Sequence, residues 1–190
     1  MFDVAGPILG IDPGVSRCGY GAVTGRGPDA VAVSYGVIRT DPADPLPERL
    51  AELADELDGL VRELRPRAVA VERVLFQNNA RTAISVGQAS GLALVAAARA
   101  GIPVAQYSPN EVKLAVAGHG GADKEQVQMM VTRMLHLDTV PRPPDAADAL
   151  ALALCHQWAA PMRARADQAD VAPTGGYERA VAAALARDAR

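Results

Sequence analysis

Aromatic side chains are scarce in this chain of 190 residues. Two Phe, four Tyr and one Trp make up 4% of it, so a core drawn from its 49% hydrophobic residues must be built from Ala, Val and Leu. The only cysteines, Cys18 and Cys155, stand alone, which excludes a thiolate metal site or redox pair and reads as two small buried residues in a reducing compartment. His119, His136 and His156 are scattered, which excludes a zinc pattern. No apolar run is long enough to span a bilayer and no secretory pattern opens the chain, so the expected location is the cytoplasm, with no membrane partner. Nor is there an excess of base: 19 Lys and Arg face 22 Asp and Glu, a net charge of −3. That excludes a generally basic nucleic-acid coat and makes the local distribution of charge informative.

What is present begins with Ile8-Leu9-Gly10-Ile11-Asp12-Pro13-Gly14, a short apolar strand ending on a carboxylate and followed at once by a turn. A rigidly mounted carboxylate suits a divalent metal, although an Asp before Pro-Gly is also an ordinary turn residue. Partners give it weight. Ala68-Val69-Ala70-Val71-Glu72 is a second apolar run ending in an acid, and Asp145 and Asp148 lie three apart, on one face of the first turn of a helical stretch. Acids at a helix start also serve the macrodipole and the free N–H groups, and that bland reading leads for Asp145. Asp148 lies deeper along an apolar face, where function explains an acid better.

The periodicity predicts strands over 7–12, 18–24 and 31–40 joined as an antiparallel meander, then a helix over 46–64 with leucines at 46, 50, 53, 57, 60 and 64. The Glu72 strand follows, then a polar loop over 73–81, a helix to about residue 100 and a strand over 101–106. Helices over 110–117, 124–136 and 145–159 complete an α/β architecture, a mixed sheet flanked by helices. Residues 1–159 read as one domain and 160–190, rich in Ala, Arg and Asp, as a mostly disordered tail with a marginal helix from Tyr177. Residues 41–63 carry eight acids, whereas 73–110 carry none but hold Arg73, Arg81 and Arg99. A nucleic-acid face is therefore expected on the loop from Arg73, extended by Lys113 and Lys124. Within that loop Phe76 offers a ring for stacking, and Gln77, Asn78 and Asn79 offer amides for hydrogen bonds. A solvated loop with one anchoring aromatic is the bland alternative.

Together with Val71-Glu72-Arg73-Val74, Gly87-Gln88-Ala89, Val112-Lys113, Ala122-Asp123-Lys124-Glu125-Gln126-Val127-Gln128 and Asp145-Ala146-Ala147-Asp148-Ala149-Leu150-Ala151, the opening motif resembles the RuvC family of Holliday-junction resolvases in order and spacing, over about residues 7–158. The resemblance implies a ribonuclease-H-like fold and a homodimer acting on a four-way DNA junction. It implies four metal-binding carboxylates, Asp12, Glu72, Asp145 and Asp148, which reverses the bland reading of Asp145, and DNA contacts by Lys113 and Lys124. It also implies association with the RuvA and RuvB branch-migration proteins. One departure is visible: the family often has an aromatic three residues after the glutamate, where this chain has Leu75 and then Phe76. The stacking role is accordingly carried over to Phe76.

Phosphodiester hydrolysis needs an activated water in line with the leaving 3′ oxygen and a counter-charge for the transition state, and two divalent ions about 4 Å apart supply both. Oxygen ligands select Mg²⁺ or Mn²⁺. By the resemblance Asp12 bridges the two ions, Glu72 and Asp148 share the coordination between them, and Asp145 completes the shell. The expected product is a pair of symmetric nicks with 5′-phosphate and 3′-hydroxyl ends. Two other classes stay open. An actin-like phosphotransferase would need a second Gly-rich phosphate loop and a longer chain, and neither is seen. A non-catalytic junction-binding module would tolerate loss of an acid, yet all four are present.

Overall fold

The computed structural model describes residues 6–74 and 80–169 of the chain, with side chains left out at 80–82 and 161–169. Strands β1 (Ile8–Asp12), β2 (Arg17–Thr24) and β3 (Val31–Arg39) open the fold as an antiparallel meander. Helix α1 (Leu46–Leu64), strand β4 (Ala68–Glu72), helix α2 (Ala80–Arg99) and strand β5 (Val104–Tyr107) follow. Helices α3 (Pro109–Ala117), α4 (Lys124–Met134) and α5 (Pro144–Ala169) close it. The five strands form one mixed sheet in the order β3-β2-β1-β4-β5, with β4 parallel to both β1 and β5. The expected ribonuclease-H-like arrangement is thereby present.

Strand alternation divides the side chains between two unlike faces. Leu9 and Ile11 of β1, Cys18 and Ala22 of β2, and Val69 and Val71 of β4 pack with Leu53, Leu57 and Val61 of α1 and with Ala89, Ala93, Ala96 and Ala97 of α2. The opposite parity, Gly10 and Asp12 on β1, Gly19 and Gly21 on β2, Ala70 and Glu72 on β4, points to the other face. Around Gly10, Gly19 and Gly21 that face is without side-chain bulk, and α5 lies against it there, with Ile8, Val23 and Tyr107 filling it further along. From Ala146 to Cys155 every residue of α5 except Asp148 is buried. The helix is apolar over this stretch because it is covered all round, and its own contribution to the layer is Ala, Leu and Cys155.

The strand and helix expectations agree with the structure to within a residue or two for most elements. The strand expected from Gly101 begins only at Val104, since Gly101, at φ 68°, first turns the chain out of α2. The last helix runs to Ala169, ten residues beyond the expected end. The chain divides into units of residues 1–157 and 158–190; in the second unit residues 158–169 are helical, and the helix expected from Tyr177 lies outside the described residues.

Candidate active site

Parallel pairing of Ile8 with Ala68 through Ile11 with Val71 carries β1 and β4 side by side to their ends, so that Asp12 and Glu72 come last on neighbouring strands with side chains on the same face. The glycines of that face set the position of α5. A Cβ at Gly10 would lie 1.9 Å from the carbonyl oxygen of Ala149, and one at Gly19 2.1 Å from that of Asp145. Helix backbone therefore rests directly on strand backbone, and Asp148, one residue before Ala149, is delivered beside Asp12. A hydrogen bond of 2.8 Å between the Tyr107 hydroxyl at the end of β5 and Nδ1 of His156 ties α5 to the sheet further along.

Asp12, Glu72 and Asp148 border one cavity of about 450 Å³, with Lys113 and Lys124 on its wall and Val112, Val127 and Leu152 as its apolar part. Two capping boxes orient the lysine-bearing helices. Ser108 and Glu111 close the start of α3, and Asp123 and Gln126 the start of α4, each side chain bonding the other's backbone N–H. Lys124 is the first residue of α4, where the helix dipole disfavours a cation. Its Nζ stands 2.7 Å from Oδ2 of Asp148, so the acids of the cavity hold it there against the dipole.

The electrostatics are those of carboxylates crowded out of water. Burial first, then the charges of Glu72 and Asp148, push the Asp12 carboxyl up to about 8. Its proton is shared in a hydrogen bond with Glu72, whose own pKa is raised by burial even though Asp12 and Lys124 oppose the rise. Burial also raises Asp148 despite its Lys124 partner. Burial lowers the Lys124 pKa, but the bond to Asp148 and the surrounding acids outweigh it and the net shift is upward. Cys18, beneath this group, has its thiol pushed up to about 12, chiefly by burial, and is chemically inert.

The structure thus brings together Asp12, Glu72, Asp148, Lys113 and Lys124. Asp145 does not line the cavity: its Oδ2 is held by Nη2 of Arg17, although its charge reaches Asp12 and Asp148. Arg73 is exposed just past β4, with Nη2 3.4 Å from the carbonyl oxygen of Gln106. Phe76, Asn78 and Asn79, with Leu75, lie outside the described residues, and Arg81 is in the first turn of α2. Arg99 pairs with Asp58 of α1 at 3.7 Å, so the acid-free run from 73 to 110 is not one continuous basic face. Arg17 was not among the residues expected at the site. Its signal in the sequence is slight: it is the only charge between Asp12 and Thr24.

The donors are hard carboxylate oxygens carried by three different elements. That set suits Mg²⁺, Mn²⁺ or Ca²⁺ and suits soft metals poorly. As the side chains stand, no three His, Cys, Asp or Glu among the described residues are gathered to hold a metal ion. Lys124 holds Asp148 and would have to yield part of that grip, whereas Arg17 holds only Oδ2 of Asp145.

The family model described as Crossover junction endodeoxyribonuclease RuvC matches residues 8–156. The protein of that name from Salinispora arenicola is 56% identical over 171 residues, which is 89% of this chain and 98% of the relative. Its counterpart from Streptomyces avermitilis is 51% identical, covering 85% and 93%. Among solved structures, the Thermus thermophilus RuvC in complex with Holliday junction substrate aligns with a TM-score of 0.78 at 42% identity, over 83% of this chain and 96% of that one. A yeast mitochondrial Holliday junction resolvase, 15% identical with a TM-score of 0.59, shares the fold. The cavity, its acids and its lysines all fall inside the matched span, and the chain belongs to the RuvC family of crossover junction endodeoxyribonucleases.

Proposed function

We propose that this protein resolves Holliday junctions in recombination and DNA repair by nicking two opposed strands symmetrically, leaving 5′-phosphate and 3′-hydroxyl ends. The observation that carries the reading is the convergence of Asp12, Glu72 and Asp148, from two strands and a helix, on one cavity walled by Lys113 and Lys124. Asp12, Glu72, Asp145 and Asp148 are the residues that would hold Mg²⁺ or Mn²⁺, two ions per site. When bound, such ions supply water activation and counter-charge for the pentacovalent transition state.

The chain's own residues do the remainder. Four carboxylates repel a phosphodiester, so Lys113 and Lys124 are needed to bring the backbone to the cavity. Asp12 must give up its proton to solvent before it can act as an anionic ligand, since Glu72, bonded to it and itself among the acids that would hold metal, cannot keep that proton. Arg73 and Arg81 extend the phosphate contacts, with Phe76, Asn78 and Asn79 meeting the bases near the junction centre. A junction is close to two-fold symmetric, and a homodimer presents two such sites to opposed strands. Gly87 and Gly91 support α2 as the dimer helix: a Cβ built at either meets nothing within 4 Å, so this stripe is not spent on the protein's own core. Action in the cytoplasm beside the RuvA and RuvB branch-migration proteins completes the reading. No helix among the described residues is long and apolar enough to cross a membrane.

A nicking assay on a synthetic four-way junction in Mg²⁺ or Mn²⁺, run beside an ATP-turnover assay, tests the proposal. Two symmetric nicks that disappear in Asp12→Asn and Asp148→Asn, with junction binding kept, are expected. ATP turnover without cleavage would refute it.

A further inference from the structure

We propose that Arg17 is a positioning residue of this site, one that orients the Asp145 carboxylate and moderates how tightly the acid cluster takes a divalent cation. The proposal rests on the nuclease reading above. Strand β2 grips Asp145 twice. Gly19, by lacking a Cβ, seats the Asp145 backbone, and Arg17, two residues earlier and on the same face, holds Oδ2 of its side chain. The carboxylate is left with Oδ1 as the oxygen not held by Arg17.

An exposed ion pair alone is a weak device, and the two side chains are 45% and 24% exposed. The mounting of Arg17 makes this one different. The turn that leads into β2 is braced from behind by Arg49 of α1, whose guanidinium donates to the Ser16 hydroxyl and, at 2.9 Å, to Oγ1 of Thr40. Thr40, itself buried, donates its hydroxyl to the carbonyl oxygen of Val15 at 2.7 Å. Val15 and Ser16, the two residues that lead into Arg17, are thus held in place, and a planar guanidinium on a fixed base presents one geometry to its carboxylate. The same cation is paired with one of the acids that would hold metal, so it lowers that acid's attraction for a divalent ion while it aligns it.

Orientation and charge make opposite contributions, which gives the test its sign. Arg17→Met removes both, and Arg17→Lys keeps the charge without the fork. Manganese binding to the DNA-free protein, read by electron paramagnetic resonance, is expected to tighten about five- to tenfold in Arg17→Met, because one positive charge beside the cluster is gone. The single-turnover nicking rate at saturating Mn²⁺ is expected to fall about tenfold in the same variant, because a misoriented ligand is not repaired by more metal. Arg17→Lys should stay within about twofold of the parent in Mn²⁺ affinity and recover part of the rate. Unchanged or weaker Mn²⁺ binding in Arg17→Met overturns the proposal, as does an unchanged rate at saturating metal. If Arg17→Met is unfolded in a melting scan, Arg17→Lys decides: parent-like affinity with a slower rate supports positioning, and loss of affinity refutes it. Failure of the parent protein to nick a junction would count against the nuclease reading instead, so the two failures are told apart.

Discussion

Replacing Asp12 by Asn should stabilise the protein while abolishing cleavage. A carboxyl that ionises at its ordinary 3.8 in the unfolded chain is pushed up to about 8 in the folded one. The folded state therefore binds more protons than the unfolded state between these values, and stability falls as pH rises through that window and levels off above about pH 8. At 1.36 kcal/mol for each tenfold change in proton affinity, the ceiling on this cost is about 5–6 kcal/mol above pH 8. Glu72 shares the repulsion and relaxes with it, so we expect about 2 kcal/mol to be recovered at pH 8.5. Asn mimics the protonated acid: it is neutral, of the same shape, and can donate to Glu72. For a chain of this length the gain corresponds to about 4–8 °C in melting temperature. Calorimetry in EDTA at pH 8.5 and pH 5 reads it, and the gain should shrink at the lower pH, where the parent is itself protonated at Asp12. Equal or lower melting of the variant at pH 8.5, or a gain that grows toward pH 5, would show that the cluster does not store repulsion as argued.

Gly10→Ala places a methyl against the carbonyl oxygen of Ala149, so α5 must lift; a loss of about 1–3 kcal/mol in urea unfolding, with slower cleavage, is expected. Gly87→Leu fills the open stripe of α2 and should give a folded monomer by sedimentation; a dimer would place the interface elsewhere. Lys113→Ala should weaken junction binding and lower the slope of log K against log salt by about 1, whereas an unchanged slope would mean that this lysine touches no phosphate.

Much of this was legible in the chain because its signals are local. An apolar run that ends on an acid declares itself within five to seven residues, which is why Asp12, with its turn, and Glu72 could be read directly. Leucine spacing marked α1 to the residue. Asp148 stood out by its depth on an apolar face, whereas Asp145, which a helix start alone would have explained, was drawn in only by the order of the motifs and does not line the cavity. What stayed hidden depends on contacts distant in sequence. Arg17 meets Asp145 from 128 positions away, and no local pattern marks a guanidinium for that task. Arg99 counted as part of a basic run, yet α2 turns it toward Asp58 of the acidic helix. Charge along a sequence does not say which side of a helix carries it.

The backbone contact between α5 and the strands has a consequence for how this protein can change. Where side chains mediate packing, a lost methylene here is offset by a rearrangement there, and the geometry drifts. Beneath Asp148 nothing remains to be trimmed and nothing can be added. The spacing of the two halves of the site is set by the radii of carbonyl oxygens and α-carbons. The α1 and α2 layer, cushioned by Leu, Val and Ala, can be repacked widely in a variant library while that spacing stays put. On the other face Gly10, Gly19 and Gly21 admit no added Cβ without moving α5, so the positions least open to change are the ones that hold the site's spacing.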